Sequence, residues 1–539
     1  MNLETALTRA RNEITAAGIL RKSGMFRHNP RHLAAGARGV GQLGPFGGLP
    51  AYCAAVHSGV AIVDDRGELT FADFARRTNR LANALLTELR GATGRPSVGI
   101  LCRNHADALV TLCGAAATGA RVVLLGSDFG PRQVAAVAER EKLDVIVYDE
   151  EFAEAAAAFD GPKWCAWYDS DQPADALERL ITGSTDAMPP RPKQAAALVI
   201  LTSGTSGIPK GAPRGEPKTL MLTAGLLQRI PLRGNERVLL SAPVFHGWGL
   251  LVAVLVLMLG STLVMHRRFD AQRALDDLAR LECSTFIAVP TMIRRLLALG
   301  DEVTSANLAA LQIVASGGAR IDPALVAQVQ DVLGPVLHNL YGSTEAAYIS
   351  IATPDDLAVA PDCAGRPPVG NTVRIADVHG NSVPSGTEGR ILVRTPGQIE
   401  AYTDGTSRSG ADGFLDTGDR GHLDSAGRLF VAGRSDSMVV SGGENVFPEE
   451  LEIVLHSHPA IADAAVTPVE DAEFGQRLRA YVVRVEATDL DEASIRAHVA
   501  AELPRSRMPR DIVFVAELPR GSSGKVLRHT IDELKETHA

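Results

Sequence analysis

Hydroxyl side chains, glycines and a lysine crowd into Leu198-Val-Ile-Leu-Thr-Ser-Gly-Thr-Ser-Gly-Ile-Pro-Lys-Gly211, and groups of that kind bind phosphate. Thr202, Ser203, Thr205 and Ser206 supply hydroxyl donors, Gly204 and Gly207 let backbone N–H groups approach an anion closely, and Lys210 adds a positive charge. The spacing is not that of a Walker A loop, which places Lys directly after its last Gly and Ser or Thr directly after that Lys. Here Ile208 and Pro209 intervene, and Gly211 follows. A flexible Ser/Gly linker is the plain alternative. Against it, residues 198–201 form an apolar run rich in Val and Ile, which reads as a buried strand ending in a turn.

The elements that must position this loop alternate. Thr70, with Asp73 three residues on, opens a helix of capping-box type whose one face carries Phe74, Leu81 and Leu85. Strand-like 98–101, helical 106–118, strand-like 121–125, helical 131–141 and strand-like 145–148 follow, the pattern of a parallel sheet covered by helices. Beyond a Pro-rich connector at 188–192 the alternation resumes with strands at 238–241, 261–265, 285–289 and 311–315. Short Gly- and Pro-rich strands at 372–375 and 389–393 suggest a small barrel. After Asp436 comes an α+β segment, with helices at 448–457 and 491–503 and strands at 464–469, 478–485 and 511–515. The expected fold class is therefore α/β: a large N-terminal domain, 1–435, of two helix-covered sheets plus a small β-barrel-like part, then a small α+β C-terminal domain, 436–539.

Composition bounds the function. A chain of 539 residues exceeds one ordinary core, and 45% hydrophobic with 22% charged residues marks it as globular. A net charge of −9 argues against nucleic acid as a partner. The six cysteines lack CxxC spacing and read as reduced core thiols of a cytoplasmic protein, suggesting no metal site. The N-terminus carries no signal-peptide pattern. Residues 247–265 contain no charge and are long enough to span a membrane, but Gly260-Ser261 divides them, and a buried helix followed by a strand is expected. Residues 1–60 say least: 1–20 is compatible with a helix, and 22–48 is expected to lie across the surface. Arg21, Lys22, Arg27 and Arg31 there offer either a weak peripheral membrane contact or a solvated arm.

Five further motifs follow the phosphate loop: Ser316-Gly317-Gly318-Ala319; Tyr341-Gly342-Ser-Thr344-Glu345 after Asn339; Asp416-Thr-Gly-Asp419 with Gly433-Arg434-Ser-Asp436; Ser441-Gly442-Gly443; and Pro519-Arg-Gly-Ser-Ser-Gly-Lys525. From about Glu68 to Arg528 this set resembles the adenylate-forming superfamily of acyl-CoA synthetases, luciferases and peptide-synthetase adenylation domains. The resemblance implies an ATP site in which Tyr341 stacks on adenine and the turn Gly317-Gly318-Ala319 lies against adenine and the acyl carbonyl. Thr344 would bond the α-phosphate, Glu345 hold Mg2+, and Asp419 accept from both ribose hydroxyls with Arg434 beside it. Lys525 would be a mobile catalytic lysine, Asp436 a hinge, and Gly442 and Gly443 the lining of a channel for the CoA thiol arm. Many relatives carry Lys shortly after the hinge where Val439 and Val440 stand, so the CoA phosphates must be met elsewhere.

The acid is read from Pro243-Val-Phe-His-Gly-Trp248 and the apolar run 250–258. No carboxylate stands there to pair an amino acid's ammonium group, and the stretch is similar to that of bacterial long- or medium-chain fatty acid CoA ligases. His246 either gates the pocket or packs beside it. The implied reaction is acid activation as acyl-AMP, then transfer to CoA. A fatty acyl-AMP ligase loading a carrier protein, or a nucleotide-binding pseudoenzyme, are the alternatives.

Overall fold

The computed structural model describes residues 3–25, 28–91, 94–202, 209–215, 219–435, 439–441, 444–471, 475–486, 488–503, 507–521 and 524–531. Two largely parallel sheets form the large part. The first orders its strands Lys163–Trp167, Val145–Asp149, Ser97–Leu101, Arg121–Leu124, Ala197–Thr202 and Lys210–Arg214, parallel except for the last pair. The second has eight strands. Six of them are parallel, running from Leu337–Ser343 through Ile313–Gly317, Thr285–Ala288, Arg237–Leu240 and Thr262–Val264 to Val60–Asp64, and an antiparallel strand closes each edge.

Strand residues alternate between faces, and the cores follow from that. Val238 and Leu240 join Val122, Leu198 and Ile200 in one core shared by both sheets. Leu239 faces a second core with Phe286 and Val314, and Val123 and Val199 face a third. Both faces of each sheet are therefore covered, as near-continuous apolar strands require.

The helix at 71 forms as the capping pattern predicts. Thr70 accepts from the Asp73 N–H at 3.1 Å, and Phe74, Leu81 and Leu85 are buried. The uncharged stretch at 247 becomes the helix Gly247–Met258 and the strand Thr262–Val264, both in the core. No helix among the described residues is long and apolar enough to cross a membrane. The barrel-like part is a four-stranded antiparallel sheet, Thr372–Ala376, Gly389–Arg394, Leu415–Leu423 and Leu429–Arg434. Beyond residue 438 the chain builds a five-stranded sheet with its own core, which includes Val439, Leu451, Val466 and Val482.

The N-terminus departs from expectation. The segment 22–48 does not lie loosely over the surface, for 30–47 is helical apart from a break at Gly44, φ +78°. Helices α2 (Pro30–Gly47) and α3 (Leu49–Val56) pack on each other and on the helices Phe71–Glu88 and Ala106–Ala117, while α1 (Leu3–Lys22) packs on the helix Met221–Arg229. Asn29 caps α2 by accepting from the Arg31 N–H at 2.9 Å, and Pro30 takes the first turn, where no donor is needed. The contact of α2 with α3 is too close for side chains. A Cβ on Gly36 would meet the Tyr52 ring at 2.7 Å, and one on Gly39 the Ala51 Cβ at 2.8 Å.

Candidate active site

The strands on either side of the phosphate loop, Ala197–Thr202 and Lys210–Arg214, pair antiparallel. Thr202 and Lys210 are partners in this pairing, and the Thr202 hydroxyl donates to the Lys210 carbonyl at 3.3 Å. Ser203, Gly204, Thr205, Ser206 and Gly207 lie outside the described residues, as do Asp436, Gly442 and Gly443. Lys210 is engaged by the segment after residue 400: its Nζ is 3.0 Å from Asp404 Oδ2 and 5.5 Å from the centre of the Tyr402 ring. Hydrogen bonds from the Thr406 hydroxyl and N–H, together with Lys210, draw the Asp404 carboxyl down to about 2.

Two adjacent strand ends of the second sheet bring in the next groups. Ile313–Gly317 delivers Gly318, at φ +85°, and a Cβ on Gly317 would meet the Trp248 indole at 3.2 Å. Leu337–Ser343 delivers buried Asn339, whose Oδ1 has no hydrogen-bond partner among the described residues, and Tyr341. Gly342 must be glycine, because a Cβ there would sit 2.1 Å from the Ala347 carbonyl oxygen where the strand turns back.

The Tyr341 hydroxyl donates to Asp419 Oδ2, and burial together with that carboxylate raises its pKa well above the ordinary tyrosine value. Arg434 lies across the strand pair from Asp419, Nη1 to Oδ1 3.7 Å. Glu345 is 9% exposed and accepts from the Tyr402 hydroxyl at 2.5 Å. Arg214 fixes the loop from behind, donating to the carbonyls of Thr344 and Gly397. Burial lowers its guanidinium to about 10 although Glu345 pulls the other way.

Lys525 joins them from the C-terminal part. Its loop closes on itself through Gly521 N–H to the Lys525 carbonyl at 2.8 Å and lies against the large part, where a Cβ on Gly524 would meet Thr291 Oγ1 at 2.9 Å. The Lys525 side chain faces an open cavity and is solvent-accessible there, yet protein surrounds it. That burial, with Arg434, lowers its pKa, while Asp419 and Glu345 oppose the shift. Asp419 and Glu345 thus lie within electrostatic reach of Lys525.

His246 precedes the helix Gly247–Met258. Its Nε2 is buried without a hydrogen-bond partner among the described residues, and burial and Lys525 push the imidazole down to about 4, against Asp128. The unfolded chain takes up a proton near pH 6.5 that the folded chain refuses until about 4. Below pH 6.5 this histidine therefore costs stability progressively, and above it costs none. His246→Gln is expected to lose less melting temperature than the parent between pH 7 and pH 5, measured by thermal unfolding at both pH values; equal losses would contradict the assignment.

Thr202, Arg214, His246, Gly318, Gly342, Thr344 and Lys525 border one cavity of about 1570 Å³. It is larger than the usual space for one small ligand. Sequence reading did not single out Arg214, Tyr402 or Asp404. Only the alternation that puts Arg214 on the same strand face as Lys210 hinted at the first.

A hard divalent cation fits the donor set. One Glu345 oxygen accepts from Tyr402 and leaves the other for a ligand, and a carboxylate oxygen of this kind suits Mg2+.

Residues 51–403 match the family described as AMP-binding enzyme, and residues 450–525 match the AMP-binding enzyme C-terminal domain. Indoleacetate–CoA ligase of Aromatoleum aromaticum is 32% identical over 87% of this chain and 93% of that protein. Feruloyl-CoA synthase of an Amycolatopsis species is 30% identical over 85% and 92%. Among solved structures, the amide bond synthetase McbA from Marinactinospora thermotolerans superposes with a TM-score of 0.79 at 26% identity, covering 91% of this chain and 99% of that one. ATP-bound MatB from Rhodopseudomonas palustris gives 0.78 at 26% identity over 88% and 95%.

Proposed function

Because the chain belongs to the AMP-binding enzyme family, we propose that it is an acid–thiol ligase that activates an apolar, chain-like carboxylic acid with ATP and passes the acyl group to CoA. The observation that carries this reading is one cavity in which Lys525, Thr344 and His246 open onto the wholly apolar face of the helix Gly247–Met258. Relatives named for indoleacetate, ferulate and succinylbenzoate show how widely acids vary around such a site. The length of apolar wall here favours an aliphatic chain, as in fatty acids, over a single aryl group.

A carboxylate is a poor electrophile until its charge is removed. In the first step a carboxylate oxygen attacks the α-phosphorus of ATP in line, the bond to the bridging oxygen breaks, and pyrophosphate leaves. Lys210 and the hydroxyl loop face the departing phosphates. Thr344 donates to the α-phosphate, and Lys525 bridges it to the acid, spreading charge where it develops. Mg2+ held by Glu345 would neutralise phosphate charge. Asn339 and Tyr341 bind the adenine, beside the Gly317-Gly318-Ala319 turn, and Asp419 with Arg434 the ribose. Binding the diol requires Asp419 to exchange its bond from Tyr341 for ribose hydroxyls. Neutral His246 keeps a ring nitrogen free for the acyl oxygen. The second step needs Lys525 withdrawn by a turn of the C-terminal part. The thiol sulfur then bonds the acyl carbon, the bond from that carbon to the AMP phosphate oxygen breaks with its electron pair leaving on AMP, and the thiol proton passes to solvent.

Incubation with ATP, hexadecanoate and CoA, scoring pyrophosphate and acyl-CoA separately, tests the proposal. Both products are expected. Pyrophosphate without acyl-CoA would transfer the assignment to a ligase with another acceptor, such as a carrier-protein thiol, and neither product from any acid would overturn it.

A further inference from the structure

The acid cavity does not end within the part of the chain that matches the family. It follows the helix Gly247–Met258 from end to end, since Gly247, Leu250, Leu251, Val254 and Met258 all line it and recur at the spacing of one helical face. That face is roughly 16 Å long at about 1.5 Å per residue. An extended chain advances about 1.2 Å per bond, so a carboxylic acid lying along the face reaches Met258 with on the order of a dozen carbons.

What meets it there is the N-terminus. Ala37, Val40 and Gly41 line the cavity from α2 at helical spacing, with Pro45 and Phe46 beyond its break at Gly44 and Leu20 of α1 and Tyr52 of α3 beside them. The family match begins at residue 51, so α1 and α2 precede it entirely. α3, on which α2 packs, is fastened to the far end of the wall helix through its backbone: the Cys53 thiol donates to the Leu257 carbonyl at 3.3 Å, and His57 Nε2 lies 3.0 Å from the Met258 carbonyl.

Resting on the ligase reading above, we infer that α1 and α2 form the end wall that sets the longest acid accepted, and that Gly41 is the position that leaves this wall open. Gly41 differs from the other glycines of its helix. Gly36 and Gly39 are bare because α3 presses on them, whereas a Cβ on Gly41 meets nothing within 4 Å. Its backbone is helical and its φ is not positive. A glycine in a helix interior is poorer than almost any other residue, and packing does not account for this one. Gly41 is exposed and borders the cavity, so the space it leaves opens onto it.

Gly41→Leu tests this without endangering the fold, because the substitution improves helix propensity and enters empty space; Gly41→Ala supplies a graded step. The assay is pyrophosphate release over unbranched acids from hexanoate to octadecanoate, with calorimetric binding of hexadecanoate as a readout independent of turnover. For Gly41→Leu, kcat/KM is expected to fall by about tenfold or more for hexadecanoate and longer acids. Octanoate should change less than about twofold, and Gly41→Ala should lie between. A uniform loss at every length, or none, overturns the end wall and leaves the ligase reading untouched. If no acid is turned over but hexadecanoate binds the parent and not Gly41→Leu, the end wall stands and the reaction assignment falls. If hexadecanoate binds both equally, the end wall is overturned.

Discussion

Lys525→Ala is expected to cut acyl-adenylate formation by about a hundred- to a thousandfold, the usual cost of removing one donor aimed at developing charge. Thioester formation from supplied acyl-AMP should change only a fewfold. The asymmetry follows from placement. In this structure Lys525 shares the cavity with Thr344 and lies within the electrostatic reach of Glu345, Asp419 and Arg434, so its charge serves the step in which phosphate charge moves. It reaches there from a glycine-rich loop of the C-terminal part, and the second step requires that loop to leave. Single-turnover measurements of each half-reaction check this, and equal losses in both would remove Lys525 from the role. Its lowered pKa adds a control. The ammonium stays charged below the ordinary lysine range but loses its proton earlier on the alkaline side, so the first half-reaction should decline there sooner than the second.

Glu345→Gln carries the second large effect. The substitution keeps an acceptor for the Tyr402 hydroxyl, which donates to Glu345 Oε1 at 2.5 Å, and removes only charge. If the carboxylate holds Mg2+, several kcal/mol of transition-state stabilisation depend on it. The adenylation rate should drop by about a hundredfold or more, and half-maximal activity should need considerably more Mg2+. A variant with normal rate and normal Mg2+ dependence would show that the carboxylate only braces the loop against Tyr402 and Arg214. Arg214 sharpens the distinction, since its guanidinium sits behind the same loop with Glu345 as its nearby carboxylate. A neutral residue at 345 leaves that buried cation less compensated, so some loss of thermal stability should accompany the loss of rate.

Much of this architecture was legible because apolar runs of strand length alternate with helix caps. The capped helix at Thr70, the parallel strands up to 145 and the helix Gly247–Met258 appear within a residue or two of their expected bounds. Motif residues on adjacent strand ends, such as Gly318 and Tyr341, converge because parallel neighbours place their C-terminal ends side by side. What escaped was long-range. Arg214 meets Thr344 across 130 residues and Tyr402 meets Glu345 across 57, and no local pattern announces either pairing. The N-terminal segment misled for another reason. Its glycines and Pro45 lower helix propensity, but Gly36 and Gly39 are there to let two helices touch, and the Asn29-Pro30 pair is the helix start that such a composition hides.

The fastening of α3 to main-chain carbonyls at Leu257 and Met258, rather than to side chains, divides the labour of substrate choice. Exchanging residues along Gly247–Met258 changes the bore of the tunnel without loosening the plug at its bottom, and exchanging residues on α2 changes the plug without disturbing the bore. Gauge and depth are separately adjustable, so a lineage could drift from slender to bulky acids, or from short to long, while the nucleotide chemistry at the other end stayed as it was.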